Sequence, residues 1–355
     1  MHDLTSPESA RIRVYLEMAV QHKASDVHLS VDQPAVFRIN GRLVSFDTPI
    51  LSEDELRNTI YEIITPAQRE AFEKNRELDF SHYYFKEYFF RANLHMNKGT
   101  VAATIRIMPG ALRSLDELGL PPVIAELTRR KSGLVLLVGK AGSGKTTTMM
   151  HMVEVINQER DAKIITIEDP IEFVYQSKRS LIIQREVGMD TASFASGLKY
   201  ALRQDPDVVV VGEMRDLESI SMALTTAETG HLVIGTLHSS DAIEAVNRII
   251  DVYPGDRQAQ IRVQLAENLA AVVGQQLLPH KSEAVRVLAT EVMVSTVAIR
   301  NMIRRSSQSE IRSQMETGRE GMYTIEQCLT TLVKQGKISE ETALTHAKFP
   351  KLMNF

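Results

Sequence analysis

Gly139-Lys140-Ala141-Gly142-Ser143-Gly144-Lys145-Thr146 is the stretch on which the fold turns. It fits G-x-x-x-x-G-K-S/T and follows Leu134-Val135-Leu136-Leu137-Val138, an apolar run with the pattern of a strand buried on both faces. Thr147-Thr148-Met149-Met150-His151-Met152-Val153-Glu154-Val155-Ile156 then reads as a helix. Strand, glycine loop and helix in that order make a phosphate cradle, because loop N–H groups and the positive end of the helix dipole converge on the anion. The glycines permit close backbone approach. Lys145 is placed to reach the β- and γ-phosphates and the Thr146 hydroxyl to hold Mg²⁺. Residues 139–147 therefore predict binding of a nucleoside triphosphate.

Working outward, the buried runs 134–138, 163–167, 207–211 and 232–236 alternate with helical stretches, the pattern of an α/β domain with a mostly parallel sheet. Before them lies a different module. Ile12, Leu16, Ala19 and Val20 recur at helical spacing, and Val36–Ile39 and Arg42–Val44 read as strands around an Asn40-Gly41 turn. Ser52-Glu53-Asp54-Glu55 opens a helix with a capping box, and 78–107 reads as further strands holding most of the aromatics as core. Met108-Pro109-Gly110 breaks the pattern. The expected organisation is an α+β domain over 1–110, a linker over 111–131, the nucleotide domain over 132–295 and a helical region over 296–355. From about residue 258 the chain reads mainly helical.

The 355 residues suffice for two domains. With 41 Lys and Arg against 45 Asp and Glu, the chain carries no field that selects a polyanion, so nucleic acid is not an expected partner. A lone cysteine, Cys328, excludes a disulfide framework and a zinc site built on several thiolates, and fits a reducing cytoplasm. No run approaches a membrane span, so work at a membrane is expected to proceed through partners, without insertion.

Further chemistry gathers at strand ends. Asp207-Val208-Val209-Val210-Val211-Gly212-Glu213 is an apolar strand delivering a carboxylate where a Walker B acid holds Mg²⁺ through water. Glu168-Asp169-Pro170-Ile171-Glu172 ends another strand on the edge where ligands collect, and one of its acids can orient and deprotonate the attacking water. His231 and His238 bracket the 232–236 strand and are either ordinary flanking residues or groups that can face the γ-phosphate. Arg203 and Arg215 are either surface cations or phosphate ligands. Arg91 and Arg106 belong to the first module and reach a nucleotide only across a domain or subunit boundary.

Ile167-Glu168-Asp169-Pro170-Ile171-Glu172-Phe173 resembles the Asp box of the secretion and type IV pilus ATPases. Val211-Gly212-Glu213-Met214-Arg215-Asp216 resembles their Glu-bearing Walker B. Ala227–His231 with Gly235–His238 resembles their His box, and Ser25-Asp26-Val27-His28-Leu29 a motif near the start of their N-terminal domain. Within that superfamily the chain looks most like the type IV pilus retraction, or twitching-motility, ATPases. The region before the phosphate loop has room for one PAS-like domain, the four-cysteine zinc module is impossible, and Ala298-Ile299-Arg300-Asn301-Met302-Ile303-Arg304 is similar to the AIRNLIR motif of retraction ATPases.

The resemblance implies a RecA-like nucleotide domain and a cytoplasmic homohexameric motor that hydrolyses ATP with Mg²⁺. It implies Lys145 and Thr146 on phosphate and metal, Glu213 as Walker B acid, and Glu172 as the base. His231 and His238 would couple the γ-phosphate to the sheet, and Arg91 and Arg106 would act in trans. The ring would turn an inner-membrane platform protein, peripheral to the membrane, with the 298–304 helix as motor output and a second retraction ATPase as a further partner. Two departures stand out: Lys140-Ala141 where family loops commonly read Pro-Thr, and Arg305-Ser306-Ser307 where acidic character is common. An assembly, secretion or accessory retraction ATPase, or a regulatory nucleotide-binding subunit, are the alternatives.

Overall fold

The computed structural model describes residues 10–39, 41–84, 88–108, 118–283, 285–353 and 355. Asn40, Phe85, Pro109-Gly110 and residues 111–117 of the expected linker lie outside these. Two units divide the chain, Met1–Ala111 with Pro170–Val174, and Leu112–Asp169 with Tyr175–Phe355.

In the first unit, six antiparallel strands form one sheet: β1 (Asp26–Leu29), β2 (Val36–Ile39), β3 (Arg42–Ser45), β4 (Glu77–Tyr84), β5 (Tyr88–Asn97) and β6 (Thr100–Ile107), in the order β3-β2-β1-β6-β5-β4. Period-two alternation separates its faces. Val27 lies opposite Phe37 and Ile105, and Ile105 opposite Ala92. That row is buried with helical residues such as Ile12, Leu16, Leu56, Ile60 and Phe72. One step along, Asp26 lies opposite Arg38 and Arg106, and Arg106 opposite Arg91, so a charged row crosses the other face. The helix Glu53–Tyr61 carries the expected capping box, with Ser52 N donating to Glu55 Oε2 at 3.0 Å. A further helix, Pro66–Asn75, starts from a Thr65–Gln68 capping box and a first-turn proline.

The second unit holds a seven-stranded sheet: β7 (Gly133–Val138), β8 (Lys163–Glu168), β9 (Leu181–Glu186), β10 (Val208–Val211), β11 (Leu232–Leu237), β12 (Leu269–Pro279) and β13 (Arg286–Val294). Their order is β13-β12-β7-β11-β10-β8-β9, and only the β12–β13 pair is antiparallel. Burial on both faces explains the unbroken apolar runs. Leu134, Leu136 and Val138 enter one core layer with Leu224, Val246 and Leu265, while Val135 and Leu137 enter the other with Met152, Val153 and Ile156.

The mainly helical reading from residue 258 is corrected here. Helices cover Gly255–Asn268, Val297–Arg305, Gln308–Glu316, Ile325–Lys334 and Glu340–His346, but the hairpin β12–β13 between them extends the sheet. Leu269–Val273 is buried on both sides, which erases the alternation that marks a half-buried strand, and Ala270, Ala271, Gln275 and Gln276 of β12 favour helix locally. Pairing with β7 overrides that preference. β9 escaped the sequence for a related reason: it is an edge strand with Leu181 and Ile183 exposed. Among the described residues no helix is long and apolar enough to cross a membrane.

Candidate functional site

The phosphate loop runs from the end of β7 into the helix Lys145–Glu159. Gly139, Gly142 and Gly144 all adopt positive φ. At Gly139 an added Cβ would lie 2.5 Å from both Gln275 O and Ser143 Oγ, so only glycine lets the loop pack against β12. Gly144 caps the helix without a side-chain acceptor, which leaves its first amides to the loop's concave side. Lys145 is 7% exposed, and its Nζ donates to Gly139 O at 2.9 Å and Lys140 O at 3.0 Å. Burial pulls its pKa down, against the raising influence of the nearby Glu213 charge. Thr146 is half-buried, Ala141, Gly142, Thr147 and the Lys140 side chain are exposed, and the Ser143 hydroxyl is buried with no hydrogen-bond partner.

Glu213 follows β10, held by its neighbours: Gly212 N donates to Ile167 O of β8 and Met214 N to Thr236 O of β11. Its carboxylate meets Arg215 Nη2 at 2.7 Å and His238 Nε2 at 3.4 Å. Burial alone would raise the Glu213 pKa, but the hydrogen bond and charge of Arg215, then His238 and Lys145, outweigh it and hold it low. His238, Glu213 and the loop that leads to Lys145 thus follow the C-terminal ends of three adjacent strands, β11, β10 and β7 respectively. That edge is where open α/β sheets bind ligands. Among the described residues no group of three or more His, Cys, Asp or Glu could hold a metal ion. The hydroxyl of Thr146 and the carboxylate of Glu213 fit Mg²⁺, which takes few protein ligands beside phosphate oxygens and water.

His231 does not share this edge. It precedes β11, whose six residues span about 20 Å. Its Nδ1 lies 3.1 Å from Thr226 O and 3.1 Å from Thr229 Oγ1. The expectation that both histidines face the γ-phosphate is corrected: within one chain the parallel register of β11 with β7 puts His238 at the loop end and His231 at the other.

The Asp-box acids separate. Glu168 is buried, its Oε1 accepting from Thr166 Oγ1 at 2.6 Å and Gln184 Nε2 at 3.2 Å, while Asp169 is exposed. Glu172 lies in Pro170–Val174, which packs with the first unit, and meets Arg91 Nη1 at 3.3 Å. Both partners are about a third exposed, so the pair contributes about 1 kcal/mol at most and is readily exchanged. Arg106 neighbours Arg91 in the charged row and binds Asp26.

The helix Val297–Arg305 contains the 298–304 stretch, capped by Thr296. Its apolar side is spent internally: Ile299 and Ile303 are fully buried in the main core and Met302 packs against it. Ala298 and Arg300 are half-buried, and Arg300 Nε donates to Ser295 O. Asn301 and Arg304 face outward, with Val297 75% exposed beside them.

Several residues around the loop carry no sequence motif. Gln275 Nε2 of β12 donates to Thr148 Oγ1 at 2.8 Å. A cavity of about 430 Å³ opens beside the loop, walled by Gln275 and Leu277 of β12, by Asp241 and Glu291, and by His346 and Lys348 near the C-terminus. Lys348 Nζ binds Asp241 there, and Ala242 N donates to Glu291 Oε1 at 2.6 Å. Burial pushes the Glu291 carboxyl from its ordinary 4.5 up to about 7, with Asp241 and Glu326 adding to the effect. The unfolded chain then releases this proton near 4.5 and the folded chain only near 7. Stability therefore falls as pH rises through that window, by about 3 kcal/mol in all. Glu291→Gln is expected to flatten that fall, raising the melting temperature near pH 8 and changing it little near pH 4.5.

Residues 5–349 match the family described as type II/IV secretion system protein. The chain is 42% identical over 337 residues to the type IV pilus retraction ATPase PilT of Pseudomonas aeruginosa, covering 95% of this chain and 98% of that one. It is 41% identical to a twitching motility protein of Neisseria gonorrhoeae, covering 95% and 90%. A crystal structure of the pilus retraction motor PilT with bound ADP superposes with a TM-score of 0.90 at 41% identity, covering 96% of this chain and 98% of that one. The chain therefore belongs to the type II/IV secretion system protein family, and within it groups with the twitching-motility relatives.

Proposed function

We propose that this chain is a Mg²⁺-dependent ATPase whose turnover drives retraction of a type IV pilus. The observation that carries the reading is the junction of Lys145, Glu213 and His238 on adjacent strand ends, in a chain that matches a retraction ATPase almost end to end. The loop amides of residues 139–147 and Lys145 bind the phosphates. Thr146 and Glu213 would hold Mg²⁺, which would supply positive charge against the negative charge that develops on the phosphate oxygens. Glu172 takes the proton of the attacking water once it leaves Arg91. His238 reads the γ-phosphate through its contact with Glu213.

Arg91 and Arg106 serve the nucleotide of a neighbouring protomer, which makes the working unit a ring, taken as a homohexamer. In this reading 1–110 is a PAS-like domain, 111–131 a linker, 132–295 a RecA-like domain and 296–355 a helical region. The antiparallel sheet with its helices and the parallel sheet with its added hairpin support the first and third assignments. The ring works in the cytoplasm, on a platform protein of the inner membrane, with a second retraction ATPase as a further partner. The outward side of residues 298–304 is its output; the buried Ile299 and Ile303 leave Asn301 and Arg304 for that contact.

Counting surface pili in cells lacking the gene tests the proposal. Excess pili with loss of surface motility is the expected result. Bald cells would make the chain an extension motor and overturn the direction of work.

A further inference from the structure

The roles above leave Ser25-Asp26 without a task, although Asp26 is 3% exposed in a sheet face of otherwise solvated charges. We propose that Asp26 is a positioning residue for Arg106, holding the guanidinium by its Nε–H so that both Nη groups stay turned outward for a nucleotide phosphate. The inference rests on the reading of Arg106 as a phosphate-directed arginine.

The geometry is that of a fixed anchor under a mobile group. Arg106 Nε donates to Asp26 Oδ1 at 2.8 Å, through Nε alone, and the arginine side chain remains 63% exposed. Ser25 Oγ donates to Asp26 Oδ2 at 2.7 Å, and Arg38 Nε lies 3.8 Å from the same oxygen. Both carboxylate oxygens are therefore engaged, from β2 on one side and β6 on the other, and the carboxylate cannot swing away. Burial alone would raise the Asp26 pKa, but the hydrogen bonds of Ser25 and Arg106 and the Arg106 charge hold it low.

The row Arg38-Asp26-Arg106-Arg91 sets three cations against one carboxylate. A cavity of about 180 Å³ beside it is lined by Asp26, Asp79, Arg91, Asn93, Thr104 and Arg106, and Glu172 pairs with Arg91, which leaves Arg38 and Arg106 sharing Asp26. A cross-strand pair kept only for the sheet would return little stability while burying a carboxylate. A free arginine side chain, by contrast, loses rotamer entropy when a phosphate immobilises it, and an anchored one has already lost part of that.

The test is a double-mutant cycle in the full-length protein, with assembly state and melting temperature measured on each variant. Asp26→Asn is expected to lower kcat/KM for ATP about tenfold or more, the effect of losing a charge-assisted hydrogen bond, with the assembly and melting temperature kept. Arg106→Lys keeps a cation but has no Nε–H to grip. In that background Asp26→Asn is expected to cost little more. A lowered melting temperature with unchanged hydrolysis in Asp26→Asn would reduce the contact to sheet packing and overturn the inference. Losses that multiply in the double variant would overturn it too, because the two residues would then act independently. If Arg106→Lys and Arg106→Ala both leave hydrolysis unchanged, the phosphate reading of Arg106 fails first, a result distinct from a failure at Asp26 alone.

Discussion

Lys145→Ala is expected to reduce ATP hydrolysis by roughly a thousandfold or more, the scale on which a preorganised cation over a transferring phosphoryl group acts. The side chain is buried, so its charge works where water screens it least. Its present partners are the carbonyls of Gly139 and Lys140, both acceptors. A phosphate oxygen competes for the same protons with a full negative charge. Loss of the donor leaves the buried Gly139 carbonyl unpaired, so stability is expected to fall by about 1 kcal/mol or more as well. Steady-state hydrolysis beside titration with a fluorescent ADP separates the effects: both activity and affinity should fall. Hydrolysis within tenfold of the parent would remove Lys145 from the phosphate site.

Glu172→Gln is expected to lower kcat by about 10² to 10⁴, the range for loss of a general base, with nucleotide affinity nearly unchanged. Glutamine keeps the size of the side chain and its reach to Arg91 while giving up the charge and the basicity. The half-buried Arg91–Glu172 pair contributes so little that its weakening will not unfold the unit. Single-turnover measurements check the result. Unchanged hydrolysis would pass the role of base to another acid and revive the reading of a regulatory nucleotide-binding subunit.

The parts of this architecture that were legible in the sequence are those where local pattern and tertiary fate agree. The run 134–138 is apolar throughout because β7 is covered on both faces, and residues 139–147 spell the loop in one continuous stretch. Glu213 and His238 were legible because each directly follows a buried strand. His231 misled for the same reason, since sequence records that a residue flanks a strand but not which end faces the ligand. Gln275, Glu291 and Lys348 were invisible: they meet the loop through pairings over more than a hundred residues, with no motif to announce them. Asp26 and Arg106 lie eighty residues apart, and only the register of β1 with β6 joins them.

The position of β7 has a consequence for biosynthesis. Its neighbours in the sheet are β11 and β12, and Gly139 closes against Gln275, so the cradle is spelled early and braced by a strand made much later. A ribosome that has released the glycine loop has not yet released its second wall. Contacts of such wide separation close slowly and only after the intervening chain is available. The second wall of the loop is thus completed late, near the completion of the sheet.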